Sequence, residues 1–243
     1  MNTTMMKINS LRLTTLAAVA LAIACSPSSD ARSAGDSSTT ATANGDVAIA
    51  ASTDAVPAGA IRYTVSATGN TARYRVREQL MGKDLPNDAV GETAEITGMI
   101  TVDSTTGTLI PGQSKFEIKT GAFKSDSDRR DGYVRGRLLE ATKFPTVEFV
   151  PTGVRGLTAA SAAASGPKTF ELVGDLTVKG VTRPTTWKVT AQQAPGRATG
   201  SASTKFTFAD ITMTPPKVPV LLSVADTIAL EYDFTMTRDQ AKP

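Results

Sequence analysis

The chain has 243 residues, with 26 Lys and Arg against 23 Asp and Glu, one cysteine, one tryptophan and no histidine. The lack of histidine removes the usual general base, metal ligand and pH switch, and a lone cysteine excludes an internal disulfide or a multi-thiolate metal site. Near-balanced charge and 5% aromatic content leave no clustered basic, base-stacking face for nucleic acid.

The N-terminus reads as an export leader, residues 1–24. Lys7 and Arg12 form a positive segment before the apolar run 13–24, which is shorter than the roughly 20 residues needed to span a bilayer. Leu21-Ala22-Ile23-Ala24-Cys25 resembles a bacterial lipobox, with Ala22 where a larger aliphatic residue is usual. That resemblance implies cleavage after Ala24 and acylation of Cys25, a membrane anchor with burial of about 0.8 kcal/mol per methylene. Ser26 follows the cysteine, and by analogy the expected location is the periplasmic face of the outer membrane. Residues 26–59 are rich in Ser, Ala, Thr, Asp and Gly. They offer too little apolar surface to offset ordering, so a disordered linker is expected, with a reach of roughly 30 Å.

From Ile61 the pattern has period two. Ile61, Tyr63 and Val65 alternate with polar neighbours, and Ala72, Tyr74 and Val76 alternate with Arg73, Arg75 and Arg77. Similar runs recur around Ile96–Val102, Phe116–Ile118, Val147–Phe149, Phe170–Val178, Trp187–Val189, Phe206–Phe208 and Ile228–Met236. About nine half-buried antiparallel strands follow, in one all-β domain over 60–238 with a short tail, 239–243. The arginine stripe on the second strand is expected on a solvated outer face.

Four stretches interrupt this pattern. Residues 79–93, with Leu80, Met81 and Leu85, are expected to be irregular and to form a lid or plug. Ser127-Asp128 caps a short helix running towards Glu140, with Val134 and Leu138 on one face and Phe144-Pro145 ending it. Residues 159–166 form an Ala/Ser hairpin tip, and Pro215, Pro216 and Pro219 make 213–222 an ordered loop. Asp126, Asp128 and Asp131 lack the spacing of a calcium loop, so capping and solvation account for them. Gly174–Gly180 is not followed by the Lys-Ser/Thr of a phosphate loop. No cofactor is expected, and the chain reads as a binding protein, not an enzyme.

Three blocks carry a family resemblance: Asp-Arg-Arg-Asp-Gly at 128–132, Lys-Phe-Pro-Thr-Val-Glu-Phe at 143–149, and Gly-Asp-Leu-Thr-Val-Lys-Gly-Val-Thr-Arg-Pro-Thr-Thr-Trp at 174–187. In this order they resemble the YceI-like family, over about Ile61 to Thr237, with Tyr63 as the aromatic that opens the first strand. Residues 206–216 depart from the family's basic-aromatic-glycine element, and Ala72-Arg73-Tyr74 from its phenylalanine-glycine pattern. The resemblance implies a single antiparallel lipocalin-like β-barrel of about eight strands with one or two short helices. It also implies an isoprenoid, quinone-like or similar apolar lipid as partner, held for storage or transfer.

Alternation alone does not decide whether such a barrel is filled or hollow. The small residues Ala72, Ala94, Gly98, Gly174 and Gly200, taken as inward, leave volume or mark barrel corners. The inward positions expected to line a cavity are Tyr74, Val76, Ile96, Phe116, Ile118, Phe149, Leu172, Leu176, Trp187, Phe206, Leu230 and Tyr232, with the tyrosine hydroxyls available to a head group. A filled barrel would instead serve as an envelope stress-response or interaction module. Homodimerisation stays open.

Overall fold

The computed structural model describes residues 56–158 and 165–239. The leader, Cys25, the linker up to residue 55, the stretch 159–164 and the tail beyond 239 lie outside the described residues, and so do the expectations that fall on them.

Among the described residues eleven strands form one sheet: β1 (Ala60–Val65), β2 (Thr71–Leu80), β3 (Asn87–Thr93), β4 (Ile96–Asp103), β5 (Lys115–Lys119), β6 (Lys124–Ser125), β7 (Thr146–Arg155), β8 (Lys168–Val178), β9 (Val181–Ala194), β10 (Arg197–Thr207) and β11 (Leu221–Arg238). The pairings are antiparallel throughout, and β11 closes the sheet on itself. One edge of β11 pairs with β10, while the other carries β2 along Leu221–Asp233 and β1 along Met236–Arg238. The pairs β1/β2, β3/β4 and β5/β6 therefore lie end to end as broken staves of a closed eight-stave barrel. Closure removes the exposed edges that an open sheet would leave.

The break between β1 and β2 is held by Asn70, which is 5% exposed. Its Oδ1 accepts hydrogen bonds from the Tyr232 hydroxyl (2.8 Å) and the Thr235 amide (3.1 Å). Its Nδ2 donates to the Ser66 carbonyl at 2.7 Å. A side chain thus replaces the backbone partners that β11 loses where the stave is interrupted.

Chain direction gathers the irregular segments at one end of the barrel. The β2–β3 hairpin, the β8–β9 turn and the β10–β11 connection all lie there, and β6 leads into helix α1 (Asp128–Tyr133) at the same end. The Ser127 hydroxyl accepts from the Arg130 amide at 3.4 Å, capping α1 as its sequence requires. The helix then widens into a π-helical turn, Val134–Leu138, with the Leu139 amide donating to the Val134 carbonyl.

Three expectations need correction. Residues 79–93 are not a plug: β2 and β3 form a hairpin, and Met81 and Leu85 at its tip are 63% and 76% exposed. Ala94 is exposed between β3 and β4, so it leaves no interior volume. Asp131 is buried, not solvated; it accepts from the Ser125 amide (2.9 Å) and hydroxyl (2.6 Å), tying α1 to β6.

Candidate functional site

Strand alternation sends one side chain in two into the barrel, and the interior is not filled. A cavity of about 280 Å³ runs through the core. From β2, Tyr74 and Val76 line it, with Ile96 from β4 and Phe116 and Ile118 from β5. Phe149 (β7), Leu172 (β8), Trp187 (β9) and Phe206 (β10) continue the wall, and Leu230 and Tyr232 complete it from β11. Leu176 is the exception among the expected positions. It sits opposite Phe149 across the β7–β8 pair, is 1% exposed, and contributes core packing without reaching the cavity surface.

Glycines shape this wall in a way opposite to the sequence expectation. A Cβ on Gly98 would stand 2.8 Å from the Phe116 ring, and one on Gly174 2.8 Å from the Phe149 ring. Gly200 lies under Phe234 and Gly91 under Tyr74 in the same manner. The space vacated by each missing side chain is taken by a cross-strand aromatic ring. The glycines let rings lie flat against the sheet, and the hollow remains at the barrel axis.

Sequence reasoning missed the residues that close the cavity. Val134, Leu138 and Leu139 come from the π turn and the residue after it, and Phe123 from the segment before β6. Phe208, Ile211 and Met213 come from the short 3₁₀ turn after β10 and the start of the proline loop. Phe170 and Phe234 also line it and were visible as alternating strand residues.

The cavity wall offers almost no hydrogen-bonding capacity. The Tyr232 hydroxyl is spent on Asn70, and the Tyr63 hydroxyl accepts from Gln193 Nε2 at 2.6 Å. For Tyr232 this runs against the expectation that its hydroxyl meets a head group inside the barrel. Burial pushes the Tyr74 hydroxyl up to about 12 and raises that of Tyr232 as well, so both stay neutral at physiological pH. Trp187 Nε1 is a buried donor with no acceptor among the described residues.

The outer face is charged. Arg73 pairs with Glu92 and Asp233, Arg75 with Asp88 and Glu231, and Arg77 with Asp88, at 2.5–3.3 Å. The stripe read from the sequence is thus a cross-strand ladder on a solvated surface. A membrane-spanning barrel would carry an apolar outer band in its place. Among the described residues no helix is long and apolar enough to cross a membrane, and no cluster of His, Cys, Asp and Glu is disposed to hold a metal.

Comparison with known proteins agrees with this architecture. A solved polyisoprenoid-binding domain from Saccharophagus degradans, implicated in plant cell wall breakdown, superposes with a TM-score of 0.55 at 13% identity, over 73% of this chain and 98% of that one. BcnA of Burkholderia cenocepacia gives a TM-score of 0.53 at 15% identity, over 70% and 98%. At such identities the likeness is one of fold. In sequence, a UPF0312 protein of Pseudomonas putida is 35% identical over 75 residues, an alignment that spans 30% of this chain and only 35% of that relative. A UPF0312 protein of Pseudomonas fluorescens matches to the same extent. The model of the YceI-like domain matches residues 63–236, from the first strand of the barrel to the last, and the chain belongs to the YceI-like family.

Proposed function

We propose that this protein is an envelope carrier that holds an isoprenoid or similar apolar chain in its barrel, for storage or transfer, while anchored to a membrane through acylated Cys25. The observation that carries the reading is the cavity of about 280 Å³ in the barrel, walled mostly by aliphatic and aromatic side chains. A cavity so lined stays dry and favours apolar guests. The polyisoprenoid-binding domain from Saccharophagus degradans, which shares the fold, supports this ligand class. The lipobox-like segment before Cys25 supports the anchor, and Ser26 supports the outer membrane as destination.

The energetics suit a tethered carrier. An isoprene unit moved from water into an apolar cavity gains about 4 kcal/mol. Moved from a bilayer it gains almost nothing, because both surroundings are apolar. Uptake from a membrane therefore depends on proximity, which an anchored linker supplies.

The test is native mass spectrometry with lipid extraction, on the barrel domain from about Ala55 onward, purified from a bacterial periplasm. A stoichiometric adduct that extracts as a prenyl chain or quinone is the expected result. An apo mass unchanged after incubation with prenyl lipids would overturn the carrier reading in favour of an empty interaction module.

A further inference from the structure

A second hollow opens at the α1 end of the barrel, between the π turn, the β8–β9 turn and the proline loop. Leu138 and Met213 belong both to its wall and to the wall of the apolar cavity, so the two spaces adjoin. Its character is different. Arg137, Lys179 and Lys217 stand in it against a single carboxylate, Glu140. Lys179 Nζ lies 2.6 Å from Glu140 Oε1 and neutralises it. Arg137 and Lys217 are exposed and have no ion pair among the described residues. Tyr133, Thr212 and Thr214 also line the cleft.

The backbone marks the same place. Among the described residues the non-glycine positions with left-handed φ are Glu140 (49°), Lys179 (51°) and Thr212 (54°). All three lie in the wall of this cleft. A side chain bearing Cβ adopts that conformation at a cost, and such strain gathers where a ligand is held. Its convergence from three separate loops on one hollow is an observation independent of the charge.

We infer that this cleft holds the phosphate-class anionic head group of a lipid whose apolar chain occupies the barrel. The inference rests on the carrier reading and adds to it the chemical class of the head group. An anion cannot enter the cavity proper, where burial without partners is prohibitive and the hydroxyls of Tyr63 and Tyr232 are already engaged. Just across Leu138 and Met213 it meets a guanidinium fork and an ammonium, the groups that bind phosphate oxygens through charge-assisted hydrogen bonds.

The experiment uses the full chain, whose single tryptophan, Trp187, lines the cavity and reports occupancy by its fluorescence. Farnesyl monophosphate, farnesol and inorganic phosphate are titrated, with calorimetry for the last. Farnesyl monophosphate is expected to bind at least about tenfold more tightly than farnesol, an advantage that shrinks with added salt. Arg137→Gln/Lys217→Gln, at exposed positions, is expected to abolish that advantage and leave farnesol binding unchanged. Equal wild-type affinities, or a variant that weakens both ligands alike, would overturn the head-group inference and leave the carrier reading standing. Inorganic phosphate binding as tightly as farnesyl monophosphate would also overturn it, making the cleft a free-anion site. If neither farnesyl compound binds, the carrier reading falls and the inference falls with it.

Discussion

Asn70 shows how one polar side chain can secure a barrel. It supplies the acceptor for a buried tyrosine hydroxyl and for a strand amide at the point where two short strands replace one long one. Asn70→Ala strands both donors, and a buried unsatisfied group costs about 1–3 kcal/mol. A loss of about 2–4 kcal/mol is expected in urea unfolding. Tyr232→Phe should then cost less in the Asn70→Ala background than in the wild type, because the hydroxyl has already lost its partner. Tyr74 makes a different statement at the same scale. Its ring lies over Gly91 and 5.5 Å from Phe123, and burial raises its hydroxyl from an ordinary value near 10 to about 12. The unfolded chain therefore loses this proton first. The stability tied to the neutral phenol is complete below pH 10 and is lost as pH rises towards 12. Thermal unfolding followed against pH should show that decline, and Tyr74→Phe should reduce its slope while leaving the profile below pH 10 unchanged.

Helix α1 illustrates how an element is fixed and why its role was only partly legible. Its Ser127 cap is written in local chemistry and the expected helix is present, but the helical stretch ends at Leu138, ahead of the expected stop at Phe144-Pro145. What sequence does not show is the buried pair beneath it. Arg130 Nη2 lies 2.7 Å from Glu78 Oε1, and the two side chains are 16% and 9% exposed. Arg130→Met leaves a buried carboxylate alone and is expected to cost about 3–5 kcal/mol. Adding Glu78→Gln should recover much of that, which a double-mutant cycle in urea would measure. Arg75→Ala on the outer ladder should cost under about 1 kcal/mol, since its partners keep water. The β2–β3 hairpin was illegible for a related reason. The inward residues of β3 are Ala89, Gly91 and Thr93, small because the Tyr74 ring covers Gly91. A strand whose apolar payload is borrowed from its neighbour carries no hydrophobic alternation of its own.

At the scale of the molecule, parity along the strands told which residues face inward, and all the expected positions except Leu176 line the cavity. Alternation cannot tell a hollow from a filled interior, because that depends on where rings come to rest. Nor does it reach Val134, Phe208, Ile211 or Met213, which close the barrel from irregular backbone. The volume now sets a quantitative expectation. A cavity of about 150 Å³ accommodates benzene, so about 280 Å³ holds about a dozen carbons, or roughly two isoprene units. Affinity for prenyl alcohols should therefore climb steeply from five to ten carbons and flatten by fifteen to twenty, as further units lie outside the barrel and gain nothing from its wall. Ala202 faces the cavity from β10, opposite Tyr232. Ala202→Phe places a ring in the space a guest would occupy. It should weaken the ten-carbon alcohol by more than about tenfold while raising stability by up to about 1 kcal/mol, since filling a void adds contacts without breaking any. Titrations by Trp187 fluorescence, paired with unfolding curves for the same variant, check both halves. Lost binding in a destabilised protein would mean that the ring had disturbed the wall, and unchanged binding would mean that the guest lies elsewhere. Only loss of binding with stability kept or gained identifies the hollow as the seat of the chain.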